Sequence, residues 1–178
     1  MVNYWKELPT GPNPPEEIFI VVEIPKGWRN KIEFDKELNV FVLDRVLYSP
    51  FHYDWADYGI IPKTFCEDGD PADGFVLMRE GTFPGCVIKC RPIGLLKMID
   101  SGEKDDKIIA VPSKDPFFSG IKDISDISSH LLKEISHFFS HYKDLQEKKV
   151  EVIGWEGAKE AKEFIKRAKE LYKEKFGD

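Results

Sequence analysis

Long hydrophobic runs are missing from this chain. Nothing in its 178 residues approaches the roughly 18 consecutive apolar positions that a membrane-spanning helix requires. Cysteine is scarce, and Cys66, Cys86 and Cys90 are odd in number and match no zinc spacing. They predict reduced thiols, not a disulfide framework. Positive charge is in deficit: 26 basic residues face 32 acidic ones, for a formal charge of −6. That balance argues against a nucleic-acid partner held through its phosphates. An anionic substrate must instead be met by locally placed Lys and Arg, or by bound metal. The start, Met1-Val2-Asn3-Tyr4-Trp5-Lys6, lacks the apolar core of a signal peptide, so a cytoplasmic location and no membrane partner are expected. No internal repeat, Gly-rich phosphate loop or Ser/His/Asp arrangement is evident.

Acidic residues, in contrast, are concentrated. Glu67-Asp68-Gly69-Asp70-Pro71-Ala72-Asp73 holds four carboxylates in seven positions. Gly69 and Pro71 make it a turn. Carboxylates this close raise one another's pKa, which a nearby cation relieves. Hard divalent ions with oxygen ligands suit such a cluster, although a solvated acidic loop fits the stretch alone equally well. A calcium loop of the EF-hand type does not fit. Counted from Asp68, its sixth position is Asp73 where Gly is needed, and its twelfth is Arg79 where Glu is needed.

Length and a 42% hydrophobic content predict one domain, residues 1–178. Its first 17 residues, rich in Pro and Gly, read as an arm laid over the surface. Residues 18–24 read as a buried strand interrupted by Glu23, whose carboxylate is costly there unless paired or metal-bound. In Lys31-Ile32-Glu33-Phe34, alternation places Lys31 and Glu33 on one face. Residues 40–47 form a further strand, in which alternation separates Asp44 from Arg45. The aromatic loop 51–59 brings the hydroxyls of Tyr53 and Tyr58. Strands are expected at 74–78, 86–98, 108–111 and 149–153, with a polar hairpin turn at 100–107. A helix is expected over 126–142, with Asp126 as its N-cap, and another near the C-terminus. The arrangement predicts an α+β fold: a small closed five-stranded OB-like β-barrel flanked by two main α-helices. His130, His137 and His141 share one helix face. They lack the Glu of the zinc-protease motif and are expected at a subunit contact.

Scattered features now ask for one explanation. Excess carboxylates bind cations, while interleaved Lys, Arg and Tyr bind the oxygens of a highly charged anion. Asp68-Gly69-Asp70-Pro71-Ala72-Asp73 is similar to the Asp-x-Asp-Pro-x-Asp signature of the family I soluble inorganic pyrophosphatases, prokaryotic hexameric type. Agreement extends to Val22-Glu23-Ile24-Pro25, Lys31-Ile32-Glu33, Asp44-Arg45, Tyr58-Gly59, Arg91-Pro92-Ile93-Gly94, Lys97-Met98-Ile99-Asp100 and the stretch His137 to Leu145. This resemblance implies Mg-dependent hydrolysis of pyrophosphate to two orthophosphates, with no covalent intermediate. It implies several Mg²⁺ per site, with Mn²⁺ or Zn²⁺ as substitutes. Asp68, Asp73 and Asp105 resemble ligands of the tightest ion, Asp100 and Asp105 those of a further ion, and Glu23 a ligand of one arriving with substrate. Asp70 resembles the general base. Lys31, Arg45, Lys107, Tyr142 and Lys143 resemble phosphate ligands, and Glu33, Tyr58 and Tyr53 other pocket residues. The family's assembly implies a homohexamer, a dimer of trimers. Residues 54–57 make one loop longer by a residue than is usual, Ser101 stands where many members carry Glu, and Cys66 is unusual before the signature. A competing reading, an OB-like module that binds nucleic acid or a partner protein without catalysis, must contend with the acidic balance.

Overall fold

A computed structural model describes residues 2–177. Strand β1 (Ile18–Ile24) is apolar at nearly every position because both its faces are covered. It belongs to a ring. β1 pairs antiparallel with β4 (Ala56–Ile60), β4 antiparallel with β5 (Asp73–Leu77), and β5 parallel with β8 (Lys107–Pro112). β8 then pairs antiparallel with β6 (Val87–Asp100), which returns to β1. The expected closed, OB-like barrel of five strands is therefore present, and closure leaves its strands without free edges. β2 (Asn30–Asp35) and β3 (Val40–Val46) form a separate hairpin, while β7 (Glu103–Lys104) and β9 (Val150–Gly157) extend the sheet from β6. Two helices, α1 (Ser129–His141) and α2 (Ala158–Phe176), cover this framework.

β8 shows how one strand serves two cores. Its Ile109 and Val111 join Phe75, Leu96 and the α1 residues Ile135, Phe138 and Phe139. Ile108 and Ala110, one residue out of phase, join Ile18, Ile20 and the α2 residues Ala161, Ile165 and Ala168. Burying a side chain such as Phe75 or Phe139 contributes about 1.5–3 kcal/mol. A third cluster ties down the N-terminal arm. Trp5 packs with Val21, Phe34, Ile60 and Tyr172, and its indole donates to the Thr64 carbonyl at 2.8 Å.

Gly59 sets the approach of β4 to β1. A Cβ at that position would lie 1.8 Å from the carbonyl oxygen of Val21. Both contacting groups are backbone, so neither side can yield. Gly59→Ala is expected to destabilise the protein by about 3 kcal/mol or more, read from denaturant midpoints. A loss below about 1 kcal/mol would show that the strands do not pack this tightly.

Several boundaries differ from the sequence reading. α1 begins at Ser129, not at Asp126. Asp126 instead closes a capping box with Asp123 around a single 3₁₀ turn, after which Ile127 is extended. The Asp123 carboxylate also accepts from the Ala158 amide at 2.8 Å, at the start of α2. β6 runs on through Pro92, which a register shift accommodates, as far as Asp100. β9 extends to Gly157, four residues beyond the expected end, because it pairs along β6. Finally, a bulge opposite Lys31 and Ile32 leaves Asp44 unpaired in β3. Strict alternation fails there, and Arg45 donates to the Asp44 carboxylate instead of being separated from it.

Candidate active site

Barrel and hairpin together enclose a cavity of about 440 Å³. Its chemistry comes from six separate places in the chain. β1 supplies Glu23, β2 supplies Lys31 and Glu33, and β4 supplies Tyr58. The acidic turn supplies Asp68 and Asp70, with Asp73 as the first residue of β5. The β6–β8 connection supplies Asp100, Asp105 and Lys107. Tyr142 and Lys143 follow directly on α1. Among the described residues, eight carboxylates and five lysines line the same space.

The acidic turn is held by its own backbone. Gly69 adopts φ +92, a left-handed conformation that suits glycine. Its amide donates to the Cys66 carbonyl at 3.0 Å, the Cys66 amide donates to the Asp70 carbonyl at 2.8 Å, and the Asp70 amide donates to the Asp68 carboxylate at 3.0 Å. The buried Thr64 hydroxyl accepts from the Ala72 amide at 2.9 Å and fixes the exit of the turn against the barrel. The carboxylates of Asp68 and Asp70 are thereby presented to solvent on a rigid loop.

Lys107 is the centre of the deeper part. It is only 2% exposed, yet its ammonium donates to Asp105 at 2.9 Å, to the Tyr58 hydroxyl at 2.9 Å and to Asp73 at 3.1 Å. Tyr58 in turn donates to Asp73 at 2.5 Å. Burial alone would lower the ammonium pKa, but Asp73 and Asp105 outweigh it and hold Lys107 charged. Burial and the adjacent Asp73 push the Tyr58 hydroxyl well up, so it stays a donor. Burial likewise raises Tyr142. Burial, opposed by Lys107 and supplemented by Asp73, lifts Asp105. At Asp100 burial is overcome by the Lys143 ammonium that donates to it, and its pKa falls. Lys31 contacts Glu33, and its pKa is lowered by burial and by Arg45.

Among the described residues, no three carboxylates or imidazoles close up into a cage of their own. Lysines stand between the carboxylates instead: Lys107 between Asp73 and Asp105, Lys143 on Asp100, and Lys36 on Asp70. The donor set fits hard divalent cations, since it is built of oxygen ligands in a region where several carboxylates are held above their ordinary pKa.

Glu23 is the clearest case. It is 6% exposed and accepts from the Phe34 amide at 2.7 Å. Burial, then the nearby Asp73, raises it from 4.5 to about 8. Above pH 4.5 the unfolded chain releases this proton while the folded protein retains it. The Glu23 contribution to stability is therefore complete at low pH and is lost as pH rises towards 8. In metal-free buffer the melting temperature is expected to fall over that range, and Glu23→Gln is expected to flatten the fall. Parallel curves for the two proteins would show that Glu23 is ionised in the fold.

Two sequence candidates lie just outside the lining. Arg45 sits beside the cavity with its Nε buried and unpartnered. Tyr53 is buried behind Tyr58, with ring centroids 5.5 Å apart. Conversely, Lys36, Lys104 and Glu103 line the cavity without having been marked by the sequence. Lys36 comes from the β2–β3 turn, lies over the Trp5 ring at 5.5 Å and pairs with Asp70, 34 residues away. A lysine in a polar turn carries no signal of such a role. Asp106, next to Asp105, faces elsewhere: it accepts from the Met98 amide at 3.1 Å and fixes the hairpin. The three α1 histidines stand apart from the cavity. His130 is near Glu134, His141 meets Asp144, and the His137 and His141 rings lie 4.4 Å apart.

The profile of the inorganic pyrophosphatase family matches residues 20–173. The chain belongs to that family. It is 52% identical over 177 residues to an inorganic pyrophosphatase of Haloferax volcanii, covering 99% of each chain. It is 49% identical to one of Picrophilus torridus, covering 97% of each. The crystal structure of the Thermus thermophilus inorganic pyrophosphatase superposes with a TM-score of 0.93 at 41% identity, covering 97% of this chain and 99% of that one. Membership accounts for the ordered blocks of similarity that run from Glu23 to Lys143 and meet around one cavity.

Proposed function

We propose that the chain is an inorganic diphosphatase that hydrolyses pyrophosphate to two orthophosphates with the help of divalent cations, Mg²⁺ first among them. The observation that carries this reading is the composition of the cavity: carboxylates from four segments interleaved with lysines in a member of the inorganic pyrophosphatase family. Asp68, Asp73 and Asp105 would hold the tightest ion, Asp100 with Asp105 a further one, and Glu23 one that arrives with substrate. Bound there, such ions lower the pKa of water towards 7 and offset phosphate charge.

The chain's own residues do the rest. Asp70, on the exposed rim, takes the proton of the attacking water. The water oxygen bonds to one phosphorus as the bridging P–O bond breaks, and the second phosphate leaves with that bond's electrons. Lys31, Lys143 and the Tyr142 hydroxyl face the cavity and bind phosphate oxygens, with Arg45 reinforcing them from beside it. Lys107, expected as a phosphate ligand, is buried and directs its ammonium to Asp73, Asp105 and Tyr58, so with Tyr58 it orders those carboxylates from below. No side-chain nucleophile is required. An oligonucleotide would meet eight carboxylates in this mouth, which does not suit it.

We assign the protein to the cytoplasm, on its three free thiols, and infer a homohexamer with the His130, His137 and His141 face at a subunit contact. No helix among the described residues is long and apolar enough to cross a membrane. Purified protein is expected to release phosphate from pyrophosphate near neutral pH with Mg²⁺ and to stop when the metal is chelated. Absence of turnover with both Mg²⁺ and Mn²⁺ would overturn the assignment. Light scattering that reports a monomer at micromolar concentration would overturn the assembly.

A further inference from the structure

The N-terminal arm and α2 line a second cleft, of about 600 Å³, that shares no described residue with the catalytic cavity. Among the described residues, Lys63, Lys166, Lys169 and Lys173 line it with one carboxylate, Glu170, in a chain whose overall charge is −6. Glu170 is already engaged, 3.6 Å from Arg167. Lys166 pairs with Glu163 at 3.0 Å. Lys63 and Lys169 are both half-buried, and among the described residues neither has an acidic partner. A partly desolvated ammonium without a counter-ion is unfavourable.

The backbone carries a further cost. Lys63 holds a left-handed backbone, φ +48, fixed by its amide donating to the Trp5 carbonyl at 2.8 Å. Such a conformation costs on the order of 1 kcal/mol in a residue with a side chain. It places a lysine at the cleft where glycine would relieve the strain. The opposite wall, Pro9, Pro14 and Pro15, is apolar and donates no hydrogen bonds. We propose that this cleft is a second anion site, distinct from the catalytic one, that takes a chain of linked phosphates. Lys63 and Lys169 supply the counter-charge. The proline wall leaves room for an apolar or planar group attached to the phosphates.

Calorimetry of the full-length protein in chelator, titrated with tripolyphosphate and separately with ATP, tests this. Without divalent metal the carboxylates of the catalytic cavity repel both probes. One probe per chain is expected to bind. The double variant Lys63→Glu/Lys169→Glu is expected to weaken it at least about ten-fold, because two charges are reversed within a Debye length of the ligand. Its turnover of magnesium pyrophosphate should stay within about two-fold of the parent, since neither lysine lines the catalytic cavity. Lys169→Glu alone should give an intermediate loss, and Lys31→Met none. Tighter binding of ATP would identify the occupant as a nucleotide seated on the proline wall, and tighter binding of tripolyphosphate an inorganic chain. No binding, equal binding by parent and double variant, or loss on Lys31→Met would overturn the proposal.

Discussion

Replacing Asp70 with Asn is expected to lower kcat for magnesium pyrophosphate by about 10²–10⁴-fold, the range that a positioned general base supplies. The substitution keeps size and shape. The hydrogen bond that holds the turn at this point is accepted by the Asp70 main-chain carbonyl, from the Cys66 amide, and survives the change. The side chain is 60% exposed, so stability should change by no more than about 0.5 kcal/mol. KM should move little, because Asp70 is assigned to the proton and not to the phosphate oxygens. The pH–rate profile separates this role from a merely structural one: the acid limb set by the base should disappear in the variant. A fall in kcat below about ten-fold, with the profile unchanged, would move the base elsewhere.

Lys107→Met is expected to have a large effect on stability. Methionine fills similar space but removes a buried charge that serves Asp73, Asp105 and Tyr58 at once. Deleting one partner of a buried ion pair costs about 3–5 kcal/mol, because the other charges stay behind. Asp73 and Asp105 retain 27% and 23% of their side-chain exposure, so some water can reach them and the lower end, about 3 kcal/mol, applies. For a chain of this length that corresponds to a fall of about 6–12 °C in melting temperature. Added Mg²⁺ should recover more of the loss in the variant than in the parent, because a divalent ion replaces the missing positive charge between the two carboxylates. A variant that melts within about 2 °C of the parent, with or without metal, would show that Lys107 does not bridge them.

Much of this protein is visible in the linear chain, and some of it is not. Local chemistry was readable. The Gly69 and Pro71 turn, the double-faced apolar strand around Ile20, and the two amphipathic helices follow from backbone sterics and hydrophobic period. Because the acidic turn and the lysine- and tyrosine-bearing blocks keep a family order, most of the residues that line the cavity are legible in the linear chain. The errors have physical causes. Asp126 looks like the N-cap of a long helix, but Asp123 competes for it and makes a separate turn. Asp44 and Arg45 look like residues on opposite faces, but a bulge leaves an unpaired residue and breaks the alternation.

The order of residues along the chain specifies which groups are present: the carboxylates, the lysines, the tyrosine hydroxyls and the strands and helices that carry them. Which of those charges are buried, and beside whom, follows from how the chain packs in three dimensions. Lys107 becomes the shared partner of Asp73 and Asp105 because parallel pairing of β5 with β8 sets Asp73 opposite Lys107. Lys36 reaches Asp70 because the β2–β3 hairpin folds back over Trp5. The reason is physical. Periodicity and propensity act over a few residues, whereas desolvation and charge pairing depend on distance in space, which only the closed barrel fixes.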